Sequence, residues 1–192
     1  MAGARIYNTG FRNKAEALKT IIPNPKSTAV CGGCGSIYEK KRWFEDAARA
    51  RELKHDAKTD IVKCPACVRS KANYPEGILT ISGEFLKEHH DDILHTITHT
   101  AKMERERDTL CRLMGVKSSE EMILVKTTNE RLVRRLGHVL HSAYGGDLSF
   151  VFSHGIRLTR VRWHRDEPGR AIREQVNKKK TPMKNKSGAK KK

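Results

Sequence analysis

From Gly77 onward the apolar residues change period several times, and each change predicts an element. GILTIS, Gly77 to Ser82, is short and β-branched, which predicts a strand. Phe85, Leu86, Ile93, Leu94 and Ile97 then fall on one helical face. Ser82 is placed to cap that helix, with Glu84 in the first turn where negative charge suits the helix dipole. The helix is expected to continue through AKMERERD as a charged, solvated end. TLCRLMGV and EMILVKTT, split by KSSE, predict a hairpin. Thr128 or Asn129 can cap a second helix with a buried stripe of Leu132, Val133, Leu136, Leu140 and Ala143. Gly145 and Gly146 stop it. DLSFVFS and IRLTRVRWH predict a last hairpin around His154 and Gly155. In its final strand Ile156, Leu158, Thr159, Val161 and Trp163 interleave with Arg157, Arg160, Arg162 and Arg165, so one face packs and parts of the other carry arginines. The order β-α-β-β-α-β-β predicts an α+β domain over residues 76–166, a mixed sheet with two helices on one face.

The segment before it lacks that periodicity. Residues 30–75 carry two cysteine pairs, Cys31 with Cys34 and Cys64 with Cys67. Between them FEDAARARELKHD favours an inserted helix. Residues 1–29, with Pro23, Asn24 and Pro25, read as an irregular arm that orders against a partner. Residues 167–192 read as a disordered cationic tail that includes Lys178, Lys179 and Lys180.

A thiolate pair two residues apart makes a tight turn whose sulfurs converge on one ion, and two such turns complete a tetrahedral site that zinc favours. Gly35 gives the first knuckle room to turn, and Pro65 pre-sets the bend inside the second pair. The expectation is a four-cysteine zinc ribbon holding structural Zn2+, because the segment has too few apolar residues to fold alone. Four cysteine ligands leave no open position for a catalytic water. A redox site would use one such pair at a helix start, and an iron–sulfur cluster usually has other spacings. Cys111, between Leu110 and Leu113, is expected to be a buried apolar residue in a strand.

Charge changes the picture of partners. The net charge is +17, from 39 Lys and Arg against 22 Asp and Glu. Such a chain attracts polyanions. No segment approaches the roughly 18 apolar residues of a membrane helix. MAGARIYNTGFRNK lacks a secretory leader's apolar run, so a cytoplasmic location with reduced thiols is expected. Three basic clusters stand out. Lys40, Lys41 and Arg42 lie next to Trp43 and Phe44, which either stack on unpaired bases or pack the inserted helix. Arg131, Arg134 and Arg135 open the second helix, against its dipole, where they form a phosphate site or a solvated face. The third cluster is Arg157, Arg160, Arg162 and Arg165 with the tail. His95 and His99 stand one helical turn apart and could chelate a metal, but Thr96 occupies the position where a metalloprotease has its glutamate. His89, His90, Asp91 and Asp92 add donors spread around the helix, and His138 and His141 are three apart on the second helix.

Pro75, Gly77, Ser82, Gly83 and Phe85, then Thr127, Thr128, Leu132, Val133, Arg134, Leu136 and Gly137, then Ala143, Tyr144 and Gly146 together resemble a little-characterised family of bacterial proteins with an amino-terminal zinc ribbon. Val133 and Leu136 depart conservatively from that family's motif. The resemblance spans about residues 31–165. The family is similar, more remotely, to the zinc-ribbon region of the archaeal and eukaryotic adaptor that binds the large ribosomal subunit for nuclear export. This resemblance implies a ribosomal partner. The expectation is therefore a non-enzymatic, zinc-stabilised RNA-binding protein associated with the ribosome or its rRNA, in assembly, hibernation or translation control. No membrane and no small-molecule substrate is expected. The alternatives are a DNA-binding or transcription-associated zinc-ribbon protein, and a metal-dependent enzyme using His95 and His99.

Overall fold

The computed structural model describes residues 16–18, 21–153 and 156–166. Two sheets organise them. The first holds short strands β1 (Ala29–Cys31), β2 (Ile37–Glu39), β3 (Arg42–Phe44) and β4 (Asp60–Val62) in the order β3-β2-β1-β4. Helix α1 (Ala47–Lys54) connects β3 to β4, and Asp46 caps it by accepting from the Arg49 amide. β4 runs parallel to β1, which brings the second cysteine pair beside the first. Helix α2 (Pro65–Lys71) follows. Val30, Ile37 and Ala50, with Phe44 and Leu53 against them, form the small apolar centre of this part.

The second sheet is built from β5 (Gly77–Ser82), β6 (Leu113–Ser118), β7 (Met122–Thr127), β8 (Asp147–Phe152) and β9 (Thr159–His164), in the order β6-β7-β5-β9-β8. Helix α3 (Phe85–Arg107) follows β5, and helix α4 (Glu130–Tyr144) follows β7. The β-α-β-β-α-β-β order is as the sequence predicts. β7 lies between β5 and β6, a split β-α-β unit, and β9 pairs parallel to β5 from the other side. Leu79, Ile81, Ile123, Val125, Val161 and Trp163 share the buried face. Leu132, Val133, Leu136 and Leu140 of α4 close over them, with Ile93 and Ile97 of α3. The Trp163 indole nitrogen donates to the Gly145 carbonyl at 2.7 Å, which satisfies its buried N–H and ties the end of α4 to β9. Among the described residues no helix is long and apolar enough to cross a membrane.

Several local expectations are corrected. Ser82 does not cap α3; its hydroxyl bonds His164 Nδ1 at 3.0 Å, and Glu84 stands at the cap position without a side-chain cap bond. The helix starts at Phe85 and departs from helical geometry at His89, whose ring stacks on Phe85 at 4.0 Å. Asn129, not Thr128, caps α4, accepting from the Arg131 amide. Ala143 is exposed, because the apolar stripe of α4 ends at Leu140. Cys111 lies fully buried in the core, but in the irregular segment before β6 rather than in a strand. The arm over residues 1–29 is not irregular throughout. Residues 16–18 are helical, and Leu18 is buried against Val68 and Tyr74. His154, Gly155 and the tail from residue 167 lie outside the described residues.

Gly137 shows how closely α4 approaches the sheet. A Cβ there would stand 2.7 Å from Val161 Cγ1 and 3.0 Å from Leu148 Cδ1. Alanine in a helix gains about 1 kcal/mol over glycine, whereas overpacking costs about 1–3 kcal/mol. Gly137→Ala is therefore expected to lower the unfolding free energy by about 1 kcal/mol net, read by urea denaturation; an increase would mean that α4 can lift off the sheet at little cost.

Candidate metal centre and basic surfaces

The sulfurs of Cys31, Cys34, Cys64 and Cys67 all lie within 4.8 Å of one another and can hold one metal ion. No two are bonded; all five cysteines are free. The first pair brackets the β1–β2 turn, where Gly35 takes φ +76° and its amide donates to the Cys31 carbonyl at 2.9 Å. Only a residue without a Cβ adopts that conformation at no steric cost. The second pair closes with the same kind of bond, the Val68 amide donating to the Cys64 carbonyl at 3.0 Å, but continues into a helix. Cys64 is the N-cap of α2, Pro65 occupies the first turn, and the Cys67 amide donates to Cys64 Sγ at 3.4 Å. Pro65 thus starts a helix, a position where its missing N–H costs nothing. The site joins one knuckle to one helix start. The Gly33 and Cys64 amides both donate to Cys31 Sγ, at 3.4 and 3.2 Å.

A fifth contributor comes from outside this segment. Arg112, just before β6, reaches the cluster from the α+β domain. Its Nη2 donates to Cys34 Sγ at 3.3 Å, Ser36 Oγ at 3.0 Å and Thr109 Oγ1 at 3.1 Å; Nη1 lies 3.8 Å from Cys67 Sγ. The side chain is 13% exposed, and its carboxylate neighbour, Glu45, is 3.7 Å away. A guanidinium this sheltered needs negative charge close by. Glu45 supplies part of it, and thiolate sulfur at the cluster would supply the rest. Hydrogen bonding from Cys64 pulls the Cys34 thiol far below its usual value, with Ser36 and Arg112 adding to the pull against burial, whereas the contact with Cys34 pushes Cys64 up and burial pushes Cys67 up. Glu45 completes the junction, accepting from Thr109 Oγ1 at 2.7 Å and from Arg105 Nη2 at 2.8 Å. Burial pushes the Glu45 carboxyl up, but Thr109, Arg105 and Arg112 outweigh it and hold it below its ordinary value. Its contribution to the junction is present above the ordinary glutamate pKa, about 4.3, and is lost as pH falls through the lower folded value.

The predicted nucleic-acid residues fall into different environments. Lys40, Lys41 and Arg42 are exposed at the β2–β3 turn, with no partner among the described residues. Trp43 and Phe44 beside them pack inward, Trp43 against the cysteines and Tyr38, Phe44 against Val30, Ile37 and Ala50. Of the two roles the sequence leaves open for them, these contacts fit packing; both residues are half-buried. Arg131 and Arg135 are engaged by Glu104, at 3.2 and 3.8 Å, while Arg134 is exposed. Arg165 lies over the Phe85 ring at 4.1 Å. Arg157 is exposed, Arg160 donates to Ser153 Oγ at 2.8 Å, and Arg162 is exposed with no partner among the described residues. Lys178, Lys179 and Lys180 lie outside the described residues.

His95 and His99 stack, ring centroids 6.2 Å apart, on an exposed face of α3. Among the described residues no third ligand joins them in a metal-sized group. His89 and His90 face Asp92 and Asp91, and His90 also bonds the Ser118 hydroxyl. His138 leans on Phe150, and His141 Nδ1 bonds the Gly146 carbonyl. Burial pushes the Cys111 thiol up to about 12, with Asp108 adding to it, so it is no nucleophile at neutral pH.

Sequence reasoning missed Arg112, Ser36 and Thr109, whose roles depend on contacts 76 and 73 residues apart along the chain. It also missed Lys117 and Lys126. Lys126 was visible in principle, since EMILVKTT alternates and places Lys126 opposite the buried residues.

No protein-family model, curated protein or solved structure matches the chain.

Mutation of a hydrogen-bonding neighbour of metal ligands typically lowers metal affinity about 10–100-fold. Arg112→Met is expected to preserve one bound metal per chain but to speed its loss to a chelator by at least about tenfold. Cys64→Ser should abolish stoichiometric binding. Equal metal retention by Arg112→Met and wild type would show that the guanidinium does not stabilise the thiolates.

Proposed function

We propose that this is a non-enzymatic, zinc-stabilised RNA-binding protein whose partner is the ribosome or its RNA. Zinc is the ion this site suits. A tetrahedron with arms of about 2.3 Å has edges of about 3.8 Å; Cys34 Sγ and Cys64 Sγ are 3.7 Å apart. Four thiolates around a divalent ion leave two net negative charges, and the partly buried Arg112 offsets one of them. Four sulfur ligands leave no coordination position for water, so the metal's role is to hold the fold.

The observation that carries the RNA reading is the turn at Lys40 and Lys41. Both take positive φ, 50° and 64°, in a two-residue hairpin turn between Glu39 and Arg42. Such turns favour Asn-Gly, and a non-glycine residue in this region costs of order 1–3 kcal/mol. Here two lysines occupy it, exposed and unpaired, with Arg42 following. Strain retained to project three cations marks a surface for a polyanion. The net charge of +17 favours a polyanion, and the remote similarity of the bacterial family this chain resembles to the ribosomal export adaptor points to rRNA.

Lys40→Asn with Lys41→Gly is expected to move two quantities in opposite directions. Unfolding free energy should rise by about 1 kcal/mol or more, while affinity for RNA falls and its salt dependence weakens. A variant that gains stability and keeps full RNA affinity would remove the turn from the binding surface. Sedimentation of cell lysate through sucrose at low and high salt tests the ribosomal partner. Co-migration with one subunit at moderate salt is expected; recovery only at the top of both gradients would overturn it. Competition between RNA and DNA duplexes of one sequence then distinguishes an RNA binder from a DNA binder, since the 2′-hydroxyl tells them apart.

A further inference from the structure

Both long helices pack on one face of the five-stranded sheet, and the other face has no helix against it among the described residues. Its composition follows from the register. Lys126 lies opposite Ile78, which lies opposite Arg160 and then Val151; in the next row Lys117, Leu124, Thr80, Arg162 and Ser149 are successive neighbours. Four cations thus stand on one surface, two on each side of a small aliphatic patch. With strands about 4.8 Å apart, Lys126 and Arg160 are separated by about 10 Å and Lys117 and Arg162 by about 14 Å. Among the described residues the acids near this face stand at one end of it: Asp147 lies opposite His164, and Asp166 bonds His164 Nε2 at 2.9 Å. Lys117 and Arg162 are exposed and have no partner among the described residues; Lys126 and Arg160 bond only neutral oxygens, of Asn73 and Ser153. This contrasts with the helix side, where the buried Glu104 engages Arg107, Arg131 and Arg135. Charge left uncompensated by the protein has to be compensated by solvent ions or by a ligand.

The choice of ligand follows from what the face lacks. Readers of unpaired RNA place aromatic rings on an open sheet so that bases can stack. Among the described residues this face presents no Phe, Tyr or Trp: Phe150 lies opposite Val161 and Trp163 opposite Leu148, all on the helix side. Spaced cations without rings suit phosphate oxygens whose bases are already paired. A second copy of the same face would be repelled by its charge.

We propose that the open sheet face, through Lys117, Lys126, Arg160 and Arg162, is the surface that holds double-stranded RNA by its phosphate backbone. The proposal rests on the RNA-binding reading above and adds a location and a ligand class to it. Recognition there is by shape and charge, with little dependence on sequence.

The test uses the full chain, loaded with metal, and two probes: an RNA hairpin with about 16 paired bases, a length one duplex-binding module can span, and an unstructured single strand of equal nucleotide number. Lys117→Glu with Arg162→Glu changes two exposed, unpartnered side chains, so the fold should be unaffected, as circular dichroism and the melting temperature will show. Wild type is expected to prefer the hairpin. The variant should lose that preference, bind the hairpin at least about tenfold more weakly at moderate salt, and show a shallower salt dependence by about two phosphate contacts. Lys40→Asn with Lys41→Gly should weaken binding to both probes while keeping the preference. Equal hairpin affinity in wild type and the Lys117/Arg162 variant would overturn the sheet face while leaving RNA binding intact. A preference for the single strand in wild type would overturn the duplex assignment. No RNA binding by wild type would overturn both readings.

Discussion

The buried apolar residues form separate clusters, and a seam of polar contacts beside Leu110 joins the cysteine cluster to the sheet domain. One side of the seam is the cysteine cluster, with little hydrophobic burial of its own. The other is the segment between α3 and β6. Arg112 crosses it, donating to Cys34, Ser36 and Thr109, and Glu45 binds back to Thr109 and Arg105. Hydrogen bonds to charged groups are worth roughly 1.5–3 kcal/mol each. Their strength depends on the charge on sulfur. With an ion held by the four cysteines, occupancy of the site and attachment of the cysteine module to the sheet would be coupled through Arg112.

The same economy of charge sorts the surface. The chain carries far more cations than anions, yet its carboxylates are concentrated where they restrain particular guanidinium groups. Glu104 holds the arginines between α3 and α4, Glu76 holds Arg69 at 2.7 Å, and Glu39 holds Arg49 at 2.6 Å. Of the cations left without an ion pair among the described residues, some stand singly, as Arg134 and Arg157 do, and others form two groupings, the β2–β3 turn and the open sheet face. Those are also places where no apolar burial would be lost if a polyanion lay against them.

Much of this was legible in the sequence because it is periodic or local. The alternation in β5, β7 and β9, the stripe of Leu132, Val133, Leu136 and Leu140, and the two CxxC spacings all act over a few residues. The cysteine convergence was readable for the same reason: two short motifs needed only a common ion. What escaped was set by tertiary contacts. Ser82 looks like a cap but is drawn to His164 on the neighbouring strand, and Ala143 fits the stripe but is exposed. Pro65 reads as a bend and proves to be the first residue of a helix, because β4 delivers Cys64 directly to a cap position. Arg112 carries no local signal; its meaning exists only once the seam is formed.

The parallel pairing of β5 with β9 sets an order of assembly. Residues that face each other there are 82 apart in the chain, and β9 is an inner strand, with β8 outside it. Until β9 is in place, β5 offers a raw strand edge, and the core it lines lacks Val161 and Trp163. Closing so long a loop is an entropic burden that slows folding, and an open apolar edge invites wrong pairing meanwhile. The cysteine module, complete by Cys67, has its ligands early and can bind its ion while the larger sheet is still being finished. During synthesis the cysteine ligands would thus precede β9, and Arg112, which lies between them in the chain, is available to the cluster before that last inner strand arrives.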